Sequence, residues 1–131
     1  MTARDGVGAM SVLALVRDLL FSTRIGQTAE RLGYPFRAVR TVEDLRAALV
    51  DRPGLVMLDL SDRGLDGEAA LTAVEEAGMG VPVLAFTTHV LWKVTKPLHA
   101  RCTRVVTKET LTAELPDLLQ GYLAAEGRDR R

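Results

Sequence analysis

Leu55-Val56-Met57-Leu58-Asp59-Leu60 is an apolar run broken once, by an aspartate near its end, and Ser61-Asp62-Arg63-Gly64-Leu65-Asp66-Gly67 follows it as a polar loop with two glycines. Short apolar runs bounded by turn residues fit strands buried on both faces, as in the middle of a parallel sheet.

Working outward from that run, the same grammar recurs. Upstream, Ser11–Val16 is short and apolar, and the stretch from Leu20 to Leu32 reads as a helix stopped by Gly33. Phe36–Val39 reads as a second strand. Thr41-Val42-Glu43-Asp44 has the form of a capping box, with Asp in place of the more usual Glu, and Leu45, Ala48 and Leu49 give the helix an apolar face. Asp51-Arg52-Pro53-Gly54 ends that helix.

Downstream, Glu68–Ala77 is a helix stopped by Gly78, Val81–Phe86 a fourth strand and Thr103–Thr107 a fifth. A last helix is expected over Leu111–Ala125, with Leu115, Leu118, Leu119, Tyr122 and Leu123 inward and Pro116 in its first turn, where a missing N–H costs little. Between Thr88 and Cys102, Pro97 removes a backbone donor and biases Lys96 away from helix. A loop through about Thr95 and a short helix after it are expected there. Leu91 and Trp92 then either tuck onto the sheet or form an exposed anchor for a partner.

Strict alternation of strand and helix implies a three-layer α/β domain, a doubly wound five-stranded parallel sheet with order 2-1-3-4-5. Residues 11–125 make up this domain, with a loose arm at 1–10 and a solvated basic tail at 126–131 expected. The chain has 131 residues, 47% of them hydrophobic, which suits one domain with its own core. Apolar runs reach about six residues where a membrane span needs about 20, so no membrane partner is expected. Zero formal net charge gives no electrostatic footprint for nucleic acid. The single cysteine, Cys102, excludes an intrachain disulfide, fits a cytoplasmic protein and is read as a small apolar residue.

In doubly wound sheets, ligands bind beyond the carboxyl ends of the strands. Asp18, Asp59, Thr87 and Lys108 stand at four such ends. Singly, each has an ordinary explanation: a helix cap, a turn-former, a strand end, a solvated lysine. Together they offer a carboxylate nucleophile, an oxygen donor for a hard cation, and a hydroxyl and an ammonium for phosphoryl oxygens.

At these residues the chain resembles the receiver domains of response regulators, including the single-domain chemotaxis type. Leu55–Gly67 is similar to that family's third strand and loop, Val81–Thr87 to its fourth strand with the switch threonine, and Arg104–Lys108 to its fifth strand with the lysine. The resemblance covers about residues 11–124. It implies that Asp59 accepts a phosphoryl group from a histidine kinase, a phosphotransfer protein or a small donor, and that Thr87 and Lys108 hold the acyl phosphate. It further implies Mg²⁺ between Asp18, Asp59 and the backbone carbonyl of Ser61.

Four positions depart from the family pattern. Arg17 stands for the first of two adjacent acids, and as a cation it opposes Mg²⁺, unless its guanidinium forks onto Asp18 or Asp59 and takes the metal's place. Val105 stands for an aromatic, and Glu109 and Arg63 for prolines.

The expectation is a signalling protein rather than an enzyme. With no output domain after residue 125, it would act on a downstream protein, or on a second copy of itself, through Thr88–Cys102 and the last helix. The alternative is a degenerate receiver that binds its partner without phosphorylation. A flavin-type cofactor protein on the same fold is disfavoured because Arg17-Asp18-Leu19-Leu20 lacks the glycines of a phosphate loop.

Overall fold

A computed structural model describes residues 10–129, with side chains described only through Ala124. The proposed arm at 1–10 lies almost wholly outside these residues, as do the last two residues of the chain.

Five parallel strands run in the order β2-β1-β3-β4-β5. They are β1 (Val12–Leu15), β2 (Phe36–Val39), β3 (Leu55–Asp59), β4 (Val83–Thr87) and β5 (Arg104–Thr107). The three central strands are buried at every position, whereas the edge strands β2 and β5 are each fully buried at one position only, Val39 and Val106. A strand flanked by two others and covered on both faces has no solvent side, so its sequence loses alternation. In register, Leu15 pairs with Leu58 and Asp59 with Phe86, which brings the carboxyl ends of β1, β3 and β4 level.

The helices are α1 (Leu19–Arg31), α2 (Val42–Ala48), α3 (Gly67–Ala77), α4 (Trp92–His99) and α5 (Lys108–Asp129), with a 3₁₀ turn at Leu49–Asp51. Ile25, Ala29, Leu111, Leu115 and Leu119 from α1 and α5 join Met57 and Phe86 in one core. Leu45, Ala70, Leu71 and Val74 from α2 and α3 join Leu13, Leu58 and Ala85 in the other. Side-chain caps start the helices: Thr41 Oγ1 accepts from Asp44 N at 3.0 Å and Asp66 Oδ1 from Ala69 N at 3.0 Å. Gly78 closes α3 at φ 68°, a left-handed geometry that costs glycine little.

Three expectations need correction. The fourth helix begins at Trp92, with Pro97 inside it, instead of after Thr95. Thr88 starts this turn early, its Oγ1 accepting from Leu91 N at 3.1 Å. Lys93, whose carbonyl loses its donor at Pro97, is exposed, so water can satisfy it. Secondly, the last helix begins at Lys108, because Thr107 Oγ1 accepts from Thr110 N at 3.1 Å and caps it there. Pro116 therefore lies in the helix interior rather than its first turn. Thirdly, the backbone stays helical to Asp129, so four residues assigned to the tail belong to α5.

Leu91 and Trp92 are each half-buried, between the two expected outcomes. Trp92 packs edge-on to His99, ring centroids 4.7 Å apart. Cys102 is half-buried and its thiol is pushed up to about 11 by burial, which leaves it protonated and unreactive at neutral pH.

Candidate functional site

The strand ends open onto a cleft of about 380 Å³ lined by Arg17, Asp18, Arg40, Asp59, Ser61, Asp62 and Lys108. Asp59 ends β3 and is only 3% exposed. Its Oδ1 accepts from Ser61 N at 2.8 Å and from Ser61 Oγ at 2.5 Å. Two donors on one oxygen fix the carboxylate's direction.

Thr87 ends β4 with no exposure, and its Oγ1 is the one buried side-chain polar atom without a hydrogen-bond partner among the described residues. A buried hydroxyl without a partner costs about 1–3 kcal/mol, so such a group asks for a reason. Thr107 lies beside Thr87 in register, and Lys108 follows it into the cleft. The Lys108 ammonium is held over the Phe21 ring, 5.4 Å from its centroid, and Phe21 in turn packs on buried Phe86 at 5.1 Å. This stack gives the lysine a platform, since a cation over an aromatic face is attracted by the ring quadrupole.

Asp18 lines the cleft and is also the N-cap of α1, with its Oδ1 accepting from Phe21 N at 3.0 Å. Asp18, Asp59, Ser61 and Lys108 thus share one cleft, and Thr87 stands at the neighbouring strand end.

Arg17 is where the structure departs from expectation. Its fork reaches neither Asp18 nor Asp59. Nε donates to Asp62 Oδ2 at 2.7 Å and Nη2 to Asp62 Oδ1 at 2.8 Å. The register of β1 against β3 sets the two following loops opposite each other, and the longer reach of the β3–α3 loop brings Asp62 to the guanidinium. Asp62 Oδ1 also accepts from Gly64 N at 2.9 Å. The Arg17 hydrogen bonds hold the Asp62 carboxyl below the usual carboxylate range, with Gly64 N and the Lys108 charge acting in the same direction. The same bond raises the Arg17 guanidinium above its ordinary value. Arg40, at the end of β2, donates from Nη1 to the Arg17 carbonyl at 2.9 Å.

Asp62, Arg40 and Phe21 escape a reading of the sequence. The available signals were an acid three residues after the acceptor strand, a cation just past a strand end and an aromatic three residues after a cap. None decides anything until the strands are aligned.

The residues present do not fit a divalent cation. The described residues contain no group of three or more acidic, histidine or cysteine side chains placed to hold a metal. One oxygen of Asp18 is engaged as a cap, one of Asp59 is engaged by Ser61, and Asp62 is engaged by Arg17. Three cations, Arg17, Arg40 and Lys108, already balance three carboxylates in the lining.

No protein-family model matches the sequence, and no curated protein matches it. Solved structures do match in shape. The receiver domain of NtrX from Brucella abortus superposes with a TM-score of 0.75 at 19% identity, over 87% of this chain and 98% of that one. A longer crystal structure of NtrX from the same organism gives 0.77 at 19% identity over 92% of this chain, which spans only 28% of that chain. The receiver domain of the sensor histidine kinase PA1611 from Pseudomonas aeruginosa PAO1, which has magnesium coordinated in its active-site cleft, gives 0.73 at 24% identity over 87% and 97%. The chain therefore has the fold of a response-regulator receiver domain. No helix among the described residues is long and apolar enough to cross a membrane.

Proposed function

We propose that the chain is a receiver-like signalling domain with Asp59 as its phosphoacceptor. The observation that carries this is the buried, unpartnered Thr87 hydroxyl at the strand end next to Asp59, across from a lysine held in the cleft. An acyl phosphate on Asp59 would supply the acceptor that this hydroxyl lacks, and Lys108 would take a phosphoryl oxygen in a charge-assisted bond. The donor would be a histidine kinase, a phosphotransfer protein or a small acyl or amido phosphate. The domain acts by being modified and then binding, not by turning over a substrate, and the reducing cytoplasm is its place of action.

The output surface in this reading is Thr88–Cys102 with α5. Val90 is 86% exposed and Val94 67%, beside half-buried Leu91 and Trp92, so this segment shows apolar area that a downstream protein or a second copy could cover. Incubation with acetyl phosphate or phosphoramidate, followed by intact-mass measurement, is expected to show one added phosphoryl group that is absent in Asp59→Asn. An unchanged mass with every donor would sink this reading.

A second reading is a module that docks its partner without phosphate. The Arg17–Asp62 pair across the cleft favours it, as does Val105, a small half-buried residue where an inward-turning aromatic would carry a switch. Partner binding that is identical for wild type and Asp59→Asn would select it.

A further inference from the structure

We infer that Arg17, clamped by Asp62, is the resident cation of this cleft and excludes Mg²⁺ from it. Four observations support this, none dependent on whether Asp59 is phosphorylated. The guanidinium binds Asp62 through two nitrogens at 2.7 and 2.8 Å, a planar fork that fixes its position as a single contact would not. Its seat is close-fitting: a Cβ built on Gly64 would lie 2.1 Å from Arg17 Nη2, so the guanidinium occupies space that any side chain at residue 64 would force it to leave. The Arg17 backbone is tied in turn by Arg40, whose Nη1 donates to the Arg17 carbonyl at 2.9 Å. Finally, the cleft is already neutral, with Arg17, Arg40 and Lys108 against Asp18, Asp59 and Asp62.

A dication entering beside Asp59 would meet a fixed positive charge and carboxylates already engaged by other donors. Desolvating a strongly hydrated Mg²⁺ requires free oxygen ligands in near-octahedral array. Here Asp62 has given both its oxygens to the arginine. The latch also joins the loop after β1 to the loop after β3, so the arginine braces the acceptor loop as well as supplying charge.

The test is a MgCl₂ titration of the full chain followed by amide NMR at Asp59, Leu60 and Ser61. Wild type, Arg17→Gln and Arg17→Asp form a series in which the charge at one half-exposed position falls stepwise, and circular dichroism checks that each variant folds. Wild type is expected to give no saturable shift through the millimolar range. The glutamine variant should bind more tightly than wild type, and the aspartate variant more tightly again, at least about tenfold over wild type. Saturable Mg²⁺ binding by wild type at or below the millimolar range overturns the inference, and so does an aspartate variant that binds no better than wild type.

Labelling by acetyl phosphate with Mg²⁺ or with EDTA separates this inference from the functional reading. In that step an Asp59 oxygen forms a new P–O bond, the bond to the acetyl oxygen breaks, and acetate leaves with its electron pair. Label that appears only with Mg²⁺ overturns the inference while Asp59 stands as acceptor. With the titrations as expected, no label under either condition sinks the acceptor and leaves Arg17 as the cation.

Discussion

The loops around Asp59 and the segment from Thr88 to Cys102 both leave the carboxyl ends of strands, yet they are held in opposite ways. Around Asp59 the ties cross long stretches of sequence and carry charge: Arg17 to Asp62 spans 45 residues and Arg40 to the Arg17 carbonyl spans 23. Below them, Lys108, Phe21 and Phe86 stack down into the core. In the α4 segment the ties are neutral and local. Thr88 Oγ1 accepts from Leu91 N in the turn before α4, and Thr95 Oγ1 reaches the Leu91 and Trp92 carbonyls and lies 2.8 Å from His99 Nε2. The segment's long-range polar anchor comes only at its far end, where Arg101 reaches Glu75 and Thr72 on α3. A region whose polar ties are mostly internal is expected to shift over the sheet more readily than one laced across three strands. Rigidity at the acceptor and mobility at the face that would meet a partner are the expected result.

The largest expected effect tests the rigid half. Phe86 has no exposure and supports Phe21, the platform for Lys108. Phe86→Ala should cost about 3–5 kcal/mol in chemical denaturation, through lost burial and the cavity left behind. A cost below about 1 kcal/mol would mean that the cleft floor is not the packed base described.

The next effect tests the looser half, with opposite sign. Pro97 is exposed inside α4, so Pro97→Ala restores the donor to the Lys93 carbonyl without disturbing buried packing. Stability should rise by about 1–3 kcal/mol, the relief of an interior proline less the entropy it removed from the unfolded chain. Slower amide exchange over α4 should accompany the rise. No change in exchange would show that the helix is already as firmly set as the rest.

The third test removes the latch. Asp62→Ala frees Arg17, and since both side chains are partly solvated the loss in thermal midpoint should be small. Its signature is in the pH dependence. The Asp62 carboxyl is held below its ordinary value by Arg17, so the pair stabilises the fold above the ordinary carboxylate value of 3.8. That stability fades as pH falls through the lowered value, because the unfolded chain takes up the proton first. The variant should lose this acid-limb contribution and little else.

The fold was legible because its evidence is local and repeated. Val12–Leu15, Leu55–Leu58 and Val83–Phe86 are apolar without interruption, and Gly33, Gly78 and the Thr41 cap mark helix ends whatever the tertiary context. The placement of Asp59, Thr87 and Lys108 at neighbouring strand ends was legible by the same logic, because topology alone brings those ends together. The Arg17–Asp62 pair was not. The arginine sits beside Asp18 in sequence and near Asp59 in space, and only the reach of the β3–α3 loop decides that it takes neither. The early start of α4 was misread because one penalty, proline, was weighed without the Thr88 turn just before the helix and the solvated Lys93 position that offset it.

The smallest expected effect draws the comparison most finely, because the two regions should respond to acid in separate windows. Burial, and then the nearby Lys96 charge, lower the His99 imidazole below its ordinary value of 6.5. A depressed histidine binds its proton less readily folded than unfolded, so stability is greatest above 6.5 and is lost as pH falls through the lowered value. The imidazole packs edge-on to Trp92, the chain's single tryptophan, at 4.7 Å. Trp92 emission should therefore change between pH 6.5 and the carboxylate range, while the Asp62 latch is still intact. His99→Gln should flatten that step and leave the acid limb that Asp62→Ala removes. If instead a single transition moved both signals together, α4 and the acceptor loops would be one cooperative unit, and the division between a braced acceptor and a free-standing output helix would be wrong.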